Sequence, residues 1–292
     1  MPPTAARFAA LLSRYDGFLF DAYGVLVDQA GARPGAAAAV AAVRAAGRPL
    51  AVVTNDTSRL PATAAARFAG VGIDVAADEI VTPGLLLPGL VAARGLAGAT
   101  AVVLGNRDAC AYAVAAGLTV IDGDRLVRDG LATPATIDAL VVCDDGGFDF
   151  LPGMNAALTA CVRALDAGRP LTLVTTNPDL VYPRGGGALG FTAGSMALML
   201  ETALARRYPA PPRFVALGKP APALFALGQA RLGGAARVVM IGDSLETDIA
   251  GARAAGLDAA LVAGVSVWHD GAVPDDRAPH WLLPDLGPAL RF

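Results

Sequence analysis

Short apolar runs alternate with alanine-rich stretches of helical length along the whole chain. Within the runs the apolar positions are continuous rather than alternating with polar ones, which is typical of strands buried on both faces of a parallel sheet. The pattern therefore predicts repeated βα units. Strands are predicted at 17–20, 50–53, 79–82, 101–104, 118–121, 139–142, 171–175, 214–217, 238–241 and 259–262, and helices at 35–46, 60–69, 109–116, 154–167, 195–208, 221–231 and 247–255.

The predicted strands are too many for one sheet of ordinary size, so two α/β domains are expected. An internal echo accompanies them, because a helix, a turn, a strand and Thr54-Asn55 recur later as a helix, a turn, a strand and Thr176-Asn177. One interpretation is chance convergence of two βαβ units on an alanine-rich background. The other is that two strand ends, one from each domain, face the same cleft.

Composition narrows the class of protein. The chain has 292 residues, 54% of them hydrophobic, and a mean hydropathy of +0.51 that raises the question of a membrane protein. Its longest stretch without a charge, residues 185–200, is shorter than the roughly 20 apolar residues of a spanning helix. No export signal is recognisable at the N-terminus either. We therefore expect no membrane partner and a cytoplasmic location.

Charge, cysteine and histidine content exclude further classes of partner and site. The net charge is −3 and no basic cluster is present, so nucleic acid is not expected as a partner. The three cysteines are widely spaced within apolar segments and form neither a zinc pattern nor a disulfide framework. With two histidines in the whole chain, the chemistry must depend mainly on carboxylates, lysine and backbone amides.

Polar side chains follow four of the predicted strands. In an open parallel sheet ligands bind beyond the carboxyl ends of the strands, so these side chains are expected to converge. In chain order they are Asp21 and Tyr23, then Thr54 and Asn55, then Lys219, then Asp243 and Asp248.

Such a set suits phosphoryl transfer. A carboxylate at a strand end can attack phosphorus and form an aspartyl phosphate. Two carboxylates with a backbone carbonyl are the oxygen ligands that Mg²⁺ prefers. A threonine hydroxyl with the next backbone amide donates to phosphate oxygens, and a lysine offsets the negative charge collected there.

Four segments, FLFDAYGVL, VVTN, GKP and MIGDSLETDIAGARAAGL, resemble the four motifs of the haloacid dehalogenase superfamily. Extra α/β sequence between the second and third motifs resembles class IIA of that superfamily. The resemblance implies a Rossmann-like core with a parallel sheet at 1–83 and 184–292 and an inserted α/β cap of the C2 type at 84–183. It also implies a hydrolase that acts on a small phosphorylated metabolite and can form homodimers.

The resemblance assigns a role to each strand-end residue. Asp21 would be the nucleophile and a Mg²⁺ ligand, and Lys219 would stabilise charge during catalysis. Thr54 and Asn55 would bind phosphate. The remaining metal-site residues would be the backbone carbonyl of Tyr23, the carboxylate of Asp243, and Asp248 acting through water or through Lys219.

Three further residues are weaker candidates for substrate binding. Asn177 and Asp179 lie where class IIA caps present substrate-selecting residues, although Asn-Pro-Asp is also a common turn. Arg184, followed by a run of glycines, could bring a guanidinium to an anionic substrate. A glycine-rich connection between domains is the simpler interpretation of that segment.

The first motif departs from the phosphatase pattern. Phosphatases of the superfamily have Asp-x-Asp there, the second Asp serving as acid and base, whereas this chain has Asp21 and Tyr23. A phenol with a pKa of about 10 is a poor acid and a worse base near neutral pH. Slow turnover is expected. The alternatives are a haloacid dehalogenase, whose first motif also contains Asp-x-Tyr-Gly, a catalytically weak phosphate-binding protein, and a protein acting through an interaction surface.

Overall fold

The computed structural model describes residues 3–129, 136–185, 188–265 and 275–287. Its strands are β1 (Thr4–Ala5), β2 (Gly17–Phe20), β3 (Val27–Asp28), β4 (Gly31–Ala32), β5 (Leu50–Val53), β6 (Ile80–Val81), β7 (Thr100–Leu104), β8 (Thr119–Asp122), β9 (Ala139–Val142), β10 (Thr172–Thr175), β11 (Val181–Gly185), β12 (Ala188–Phe191), β13 (Phe214–Ala216), β14 (Val238–Gly242), β15 (Asp258–Val262) and β16 (Trp281–Leu283). Its helices are α1 (Phe8–Leu12), α2 (Ala36–Ala45), α3 (Pro61–Gly70), α4 (Leu87–Arg94), α5 (Arg107–Ala115), α6 (Gly123–Asp129), α7 (Phe150–Asp166), α8 (Ala193–Arg207), α9 (Pro222–Ala230) and α10 (Ala250–Ala254).

The first sheet is parallel, with the strand order β1-β16-β15-β14-β2-β5-β6. Helices α1, α2 and α3 pack on one face and α9 and α10 on the other. The central strands β2, β5, β14 and β15 are buried by both layers, which explains why their sequences are continuous apolar runs. We call this layered unit the core.

The strand order reverses at one place in the core sheet. The chain runs from β2 outward through β5 to β6, and later from β14 outward in the opposite direction through β15 to β16. The crevice between the carboxyl ends of β2 and β14 is therefore the topological switch point, where ligands bind in open α/β sheets.

The second sheet is also parallel, with the order β13-β10-β9-β7-β8. Helices α6, α7 and α8 cover one face, and α4 and α5 cover the other. We call this unit the cap. Its own order reverses between β7 and β9, so a second switch-point crevice opens at the carboxyl ends of those two strands.

The predicted strands and helices are present with ends shifted by a few residues, and the α/β fold class is confirmed. The division predicted after residue 183 does not follow the sheets, however. Strand β13 pairs with β10 in the cap sheet, and α8 buries Met196 and Leu200 against the cap. The cap therefore extends through β13, because strand pairing and packing partners decide membership.

Several short elements were not predicted. Two antiparallel hairpins, β3–β4 and β11–β12, interrupt the parallel pattern, and α1, α4 and α6 lie outside the predicted helices. A π-helical turn at Leu245–Ile249 leads into α10. Across the residues described, no helix combines the length and apolar character needed to cross a membrane.

Candidate active site

Two carboxylates lie side by side at the switch point of the core sheet. Asp21 directly follows β2 and Asp243 directly follows β14, and these two strands are hydrogen-bonded neighbours. The backbone amide of Asp21 donates to the carbonyl of Ile241 at 2.8 Å, which continues the ladder to the last position. Both side chains are buried, so the two strands alone bring the carboxylates together.

A buried ammonium group joins this pair to a third carboxylate. The Nζ atom of Lys219 lies 2.5 Å from Oδ1 of Asp21 and 2.6 Å from Oδ1 of Asp248. Desolvation lowers the pKa of Lys219, but the charges of the two carboxylates outweigh it and raise the pKa above its usual value. Lys219 is therefore an ammonium ion at neutral pH.

Asp248 supports the site by its hydrogen bonds. While Oδ1 accepts from Lys219, Oδ2 accepts from the backbone amides of Asp243 at 3.1 Å and of Ser244 at 3.2 Å. One oxygen therefore positions the Lys219 ammonium, and the other positions the backbone that follows β14. This arrangement fits a role through Lys219, one of the two roles considered for Asp248 from the sequence.

The carboxylates carry more negative charge than the lysine can balance. Burial raises the pKa of Asp21 to about 7, with the charge of Asp248 adding to the effect and Lys219 opposing it. Burial, and then the charges of Asp21 and Asp248, raise the pKa of Asp243 well above its usual value. One ligand oxygen from each of the three lies within 4.8 Å of the others. Three carboxylates against one ammonium fit a divalent cation with oxygen ligands.

The backbone after Asp21 closes tightly over the neighbouring carboxylate. Gly24 has φ of +99°, and a Cβ atom at this position would lie 2.5 Å from Oδ2 of Asp243. A side chain here would strain the backbone and clash with the carboxylate. Gly24 thus allows the Tyr23 segment to approach the candidate metal site, which fits the predicted use of the Tyr23 carbonyl as a ligand.

Thr54 and Asn55 follow β5 and line the cavity that also contains the three carboxylates, but their side chains make different hydrogen bonds. The Thr54 hydroxyl accepts a hydrogen bond from the Asp56 amide at 3.1 Å, which leaves its own proton free to donate. The Asn55 side chain accepts from the Lys219 amide at 2.6 Å and donates to Oδ2 of Asp179 at 3.1 Å. Asn55 therefore positions the lysine and ties the core to the cap.

Tyr23 points its ring towards the cap. It makes an edge-to-face contact with Tyr182 of β11, with the ring centroids 5.8 Å apart. Its hydroxyl oxygen is buried and has no hydrogen-bond partner among the residues described. Burial raises the pKa of Tyr23 above its ordinary value, so the phenol stays neutral near physiological pH.

The cap candidates divide into two groups. Asn177 and Asp179 line the cavity, and the Asn177 side chain accepts from the Asp179 amide at 3.0 Å, so the segment is also the turn that its sequence suggested. Burial raises the pKa of Asp179 to about 6. Arg184 is instead exposed on the β11–β12 hairpin and is absent from the described cavity lining. Of the glycines after it, Gly186 and Gly187 lie outside the described residues.

The internal echo in the sequence has a structural counterpart. Thr54 and Asn55 at the end of β5 line a cavity of about 700 Å³ that Asn177, beyond the end of β10, also lines. The hydrogen bond between Asn55 and Asp179 joins the two segments. The two strand ends therefore face the same cleft, one from each unit.

Several charged residues of the cavity were missed by the sequence reasoning, Asp56 among them. Asp144 and Asp145 follow β9 at the switch point of the cap, and the rule that found Asp21 could have found them. Arg59 lies two residues before α3, and Arg67 lies in the last turn of that helix. No local pattern distinguishes them from the solvated arginines elsewhere in the chain.

Asp144 provides a test of the electrostatics of the cavity. Burial, and then the charge of Asp145, raise the pKa of Asp144 to about 7. The folded protein therefore binds this proton more tightly than the unfolded chain, and its stability should fall as pH rises from about 4 towards about 7. Asp144→Asn should remove this loss. The free energy of unfolding of the variant, relative to that of the wild type, should therefore increase by about 1–2 kcal/mol between about pH 5 and about pH 8.

Chemical denaturation at the two pH values measures this difference. Asp124→Asn, at an exposed position of α6, is the matched control and should show no such trend. A gain for Asp144→Asn that is the same at both pH values would contradict the raised pKa.

Comparison with known proteins identifies the family. A model described as haloacid dehalogenase-like hydrolase matches residues 18–119, and a HAD-hydrolase-like model matches residues 216–289. Chronophin from Homo sapiens is 30% identical over 297 residues, covering 96% of this chain and 94% of that protein. The chain belongs to the haloacid dehalogenase-like hydrolases.

Solved structures of the family agree with this assignment. A possible sugar phosphatase from Cytophaga hutchinsonii superposes with a TM-score of 0.78 and 27% identity, covering 99% of this chain and 100% of that chain. A glycerol phosphate phosphatase from Mycobacterium tuberculosis, solved in complex with magnesium, has a TM-score of 0.72 and 28% identity over 94% of this chain and 77% of that chain. The predictions of class IIA membership and of a phosphatase-type hydrolase are confirmed.

Proposed function

We propose that this haloacid dehalogenase-like hydrolase cleaves a small phosphomonoester with Mg²⁺ and forms an aspartyl phosphate on Asp21. The main support is the buried cluster in which the Asp21 carboxylate lies beside Asp243 and within 2.5 Å of the Lys219 ammonium. This cluster would combine a nucleophile, ligands for a divalent cation and a charge-stabilising group. The related glycerol phosphate phosphatase with magnesium supports the same ion and a small alcohol phosphate as substrate.

In the proposed reaction, an Asp21 oxygen forms a bond to phosphorus as the bond to the alcohol oxygen breaks. Lys219 and the Thr54 hydroxyl hold the phosphate oxygens and stabilise the negative charge of the transition state. Mg²⁺, held by Asp21, Asp243 and the Tyr23 carbonyl, would neutralise phosphate charge. Water then attacks phosphorus, phosphate leaves, and the Asp21 carboxylate is restored.

Proton transfer is the weak part of this scheme. The departing alcohol needs a proton and the attacking water must lose one, and Tyr23 occupies the position where the family carries an acid-base carboxyl. The neutral, buried phenol of Tyr23 serves neither purpose well. We therefore propose slow turnover on esters with poor leaving groups. The cytoplasmic location and the homodimer stay predictions from the sequence.

Dehalogenation is less well supported. It would use the same Asp21 carboxylate without a proton for the leaving group, but a halide displacement does not need the divalent-cation site formed with Asp243 and Asp248. The α/β cap sheet also lies between the second and third motifs, as the sequence indicated. Dehalogenases of the family carry a small helical cap soon after the first motif.

Phosphate release from a panel of small phosphomonoesters tests the function. We expect release in the presence of Mg²⁺, its loss with EDTA, and its return when excess Mg²⁺ is added. Activity that survives EDTA unchanged would overturn the metal assignment. Thermal stabilisation by phosphate esters without any turnover would instead favour the phosphate-binding alternative.

A further inference from the structure

The first turn of the cap helix α5 is hydrogen-bonded to a segment of the core. Nδ2 of Asn106 donates to the carbonyl of Ser58 at 2.8 Å, while Oδ1 of the same side chain accepts from the Ala109 amide at 3.1 Å and so caps α5. Oδ2 of Asp108 accepts from the amide of Leu60 at 3.0 Å. The start of α5 therefore serves its own helix and the core at once.

A tyrosine further along α5 completes this attachment. The Tyr112 hydroxyl donates to the carbonyl of Arg59 at 2.8 Å and accepts from the Thr82 hydroxyl at 2.8 Å. Burial raises the pKa of Tyr112 to about 12, so the hydroxyl stays protonated and can donate. The Leu60 side chain packs against the apolar cluster between the cap sheet and the helices α4 and α5. Cap side chains thus bind three successive residues, 58–60, which we call the docked segment.

Asp108 compensates the N-termini of two helices. Helix α3 begins without a cap of its own, because Leu60 at its start carries no side-chain oxygen and its first turn contains no acidic residue. The first amides of a helix carry partial positive charge and need acceptors. The half-buried Asp108 carboxylate supplies one to Leu60 and also lies in the first turn of α5. This shared carboxylate favours a fixed position of α3 relative to the cap.

The docked segment is connected to the phosphate-binding candidate Thr54 by a tight turn. The Thr54 amide donates to the Val81 carbonyl at 3.1 Å, so its backbone belongs to the core sheet, but its hydroxyl accepts from the Asp56 amide at 3.1 Å. The Asp56 carboxylate accepts from the amide of Ser58 at 2.8 Å and lies 2.8 Å from the guanidinium of Arg59. The direction of the Thr54 hydroxyl therefore depends on a turn whose far end is bound by the cap.

We propose that Asp108 is a positioning residue for phosphate, acting through the docked segment and the Asp56 turn to set the direction in which the Thr54 hydroxyl donates. Asp108 is absent from the described cavity lining, so its effect must pass through other residues. Hydrogen bonds weaken steeply when donor and acceptor are misaligned, so a small rotation of the hydroxyl is sufficient. The inference rests on the proposed phosphatase function and makes phosphate binding depend on the position of the cap.

A double-mutant cycle with Thr54 tests this connection. The probe is p-nitrophenyl phosphate, whose leaving group departs without a proton. Thr54→Val removes the hydroxyl with little change in shape and should lower kcat/KM by about 10- to 100-fold. Asp108→Ala should lower kcat/KM by about 3- to 10-fold in the wild-type background but by less than about twofold beside Thr54→Val. Asp108→Asn, which keeps an oxygen acceptor for the Leu60 amide, should retain most of the activity.

Asp124→Ala is the matched control, because Asp124 occupies the first turn of another cap helix, α6, at an exposed position. It should leave kcat/KM unchanged in both backgrounds. Tyr112→Phe releases the docked segment at a different point, so it tests the same connection if Asp108→Ala unfolds, and its effect should also vanish beside Thr54→Val. Losses of equal size in the two backgrounds would indicate a general structural effect and overturn the proposal, as would full activity of Asp108→Ala.

Calorimetric binding of inorganic phosphate with Mg²⁺ separates this inference from catalysis. We expect Asp108→Ala to weaken binding by about 3- to 10-fold in the wild-type background and by less than about twofold beside Thr54→Val. If the wild-type protein binds phosphate but releases none from any ester, the phosphatase proposal fails and this difference still decides the role of Asp108. Equal weakening in both backgrounds, or no binding of phosphate by the wild-type protein, overturns it.

Discussion

Replacing Asp21 by Asn should abolish phosphate release, with a loss of about 10⁴-fold or more. The amide oxygen of Asn is a poor nucleophile and cannot form the aspartyl phosphate. The fold should persist, because Asn has nearly the same shape and because burial of a neutral amide avoids the cost that raises the pKa of Asp21 to about 7. Phosphate release and thermal unfolding, measured on the same preparation, separate these two effects.

The covalent intermediate can be examined directly. Acid-quenched wild-type protein should retain label from a phosphorus-labelled ester, and Asp21→Asn should retain none. Asp78→Asn, at an exposed position of the core, serves as the matched control and should behave as wild type in both assays. Phosphate release by Asp21→Asn at the wild-type rate would show that the nucleophile is another group.

Replacing Tyr23 by Asp should accelerate turnover by about 10²–10⁴-fold, the usual contribution of a positioned acid and base. The exchange leaves the backbone carbonyl in place and removes a hydroxyl that has no partner among the described residues. What is lost is the ring contact with Tyr182, which links core and cap. We therefore expect the gain in kcat, with some increase in KM from weaker closure of the cap.

The leaving group sharpens this experiment. An alkyl phosphate needs a proton on its departing oxygen, whereas p-nitrophenolate leaves without one, so phosphorylation of Asp21 should gain more with the alkyl ester. Tyr23→Asn, which removes the ring without adding an acid, is the matched control and should show no gain. If Tyr23→Asp is also no faster, another group already moves the proton. Asp179, whose pKa is raised to about 6 by burial, is then the first residue to replace by mutagenesis.

Much of the fold could be predicted from the sequence, because buried parallel strands are continuous apolar runs and the helices between them are alanine-rich. The elements that were missed lack this signature. Strand β16 and helix α1 are short, and the β11–β12 hairpin carries exposed apolar residues such as Leu189 and Phe191. The limit of the cap was misplaced because nothing in residues 214–216 reveals which sheet they join.

The residues of the site also fall into those that the local sequence predicts and those that depend on tertiary contacts. The strand ends supplied Asp21, Thr54 and Asp243, because the carboxyl ends of parallel strands in one sheet meet at one edge. Lys219 follows β13 of the cap sheet, so only the tertiary structure brings it beside Asp21. Asn55 was recognised too, but its function in tying Lys219 to Asp179 depends on contacts between distant segments. Arg67 gave no local signal, because only the folded chain brings it to the cavity wall.

The sequence by itself determined the α/β class, the family and the set of strand-end side chains, because periodicity and motif order are local properties of the chain. The tertiary structure alone decided which strands share a sheet, that Lys219 donates hydrogen bonds to both Asp21 and Asp248, and that the Tyr23 hydroxyl is buried without a hydrogen-bond partner among the described residues. Pairing, burial and charge balance depend on residues far apart in the chain, and only the folded protein brings those residues together.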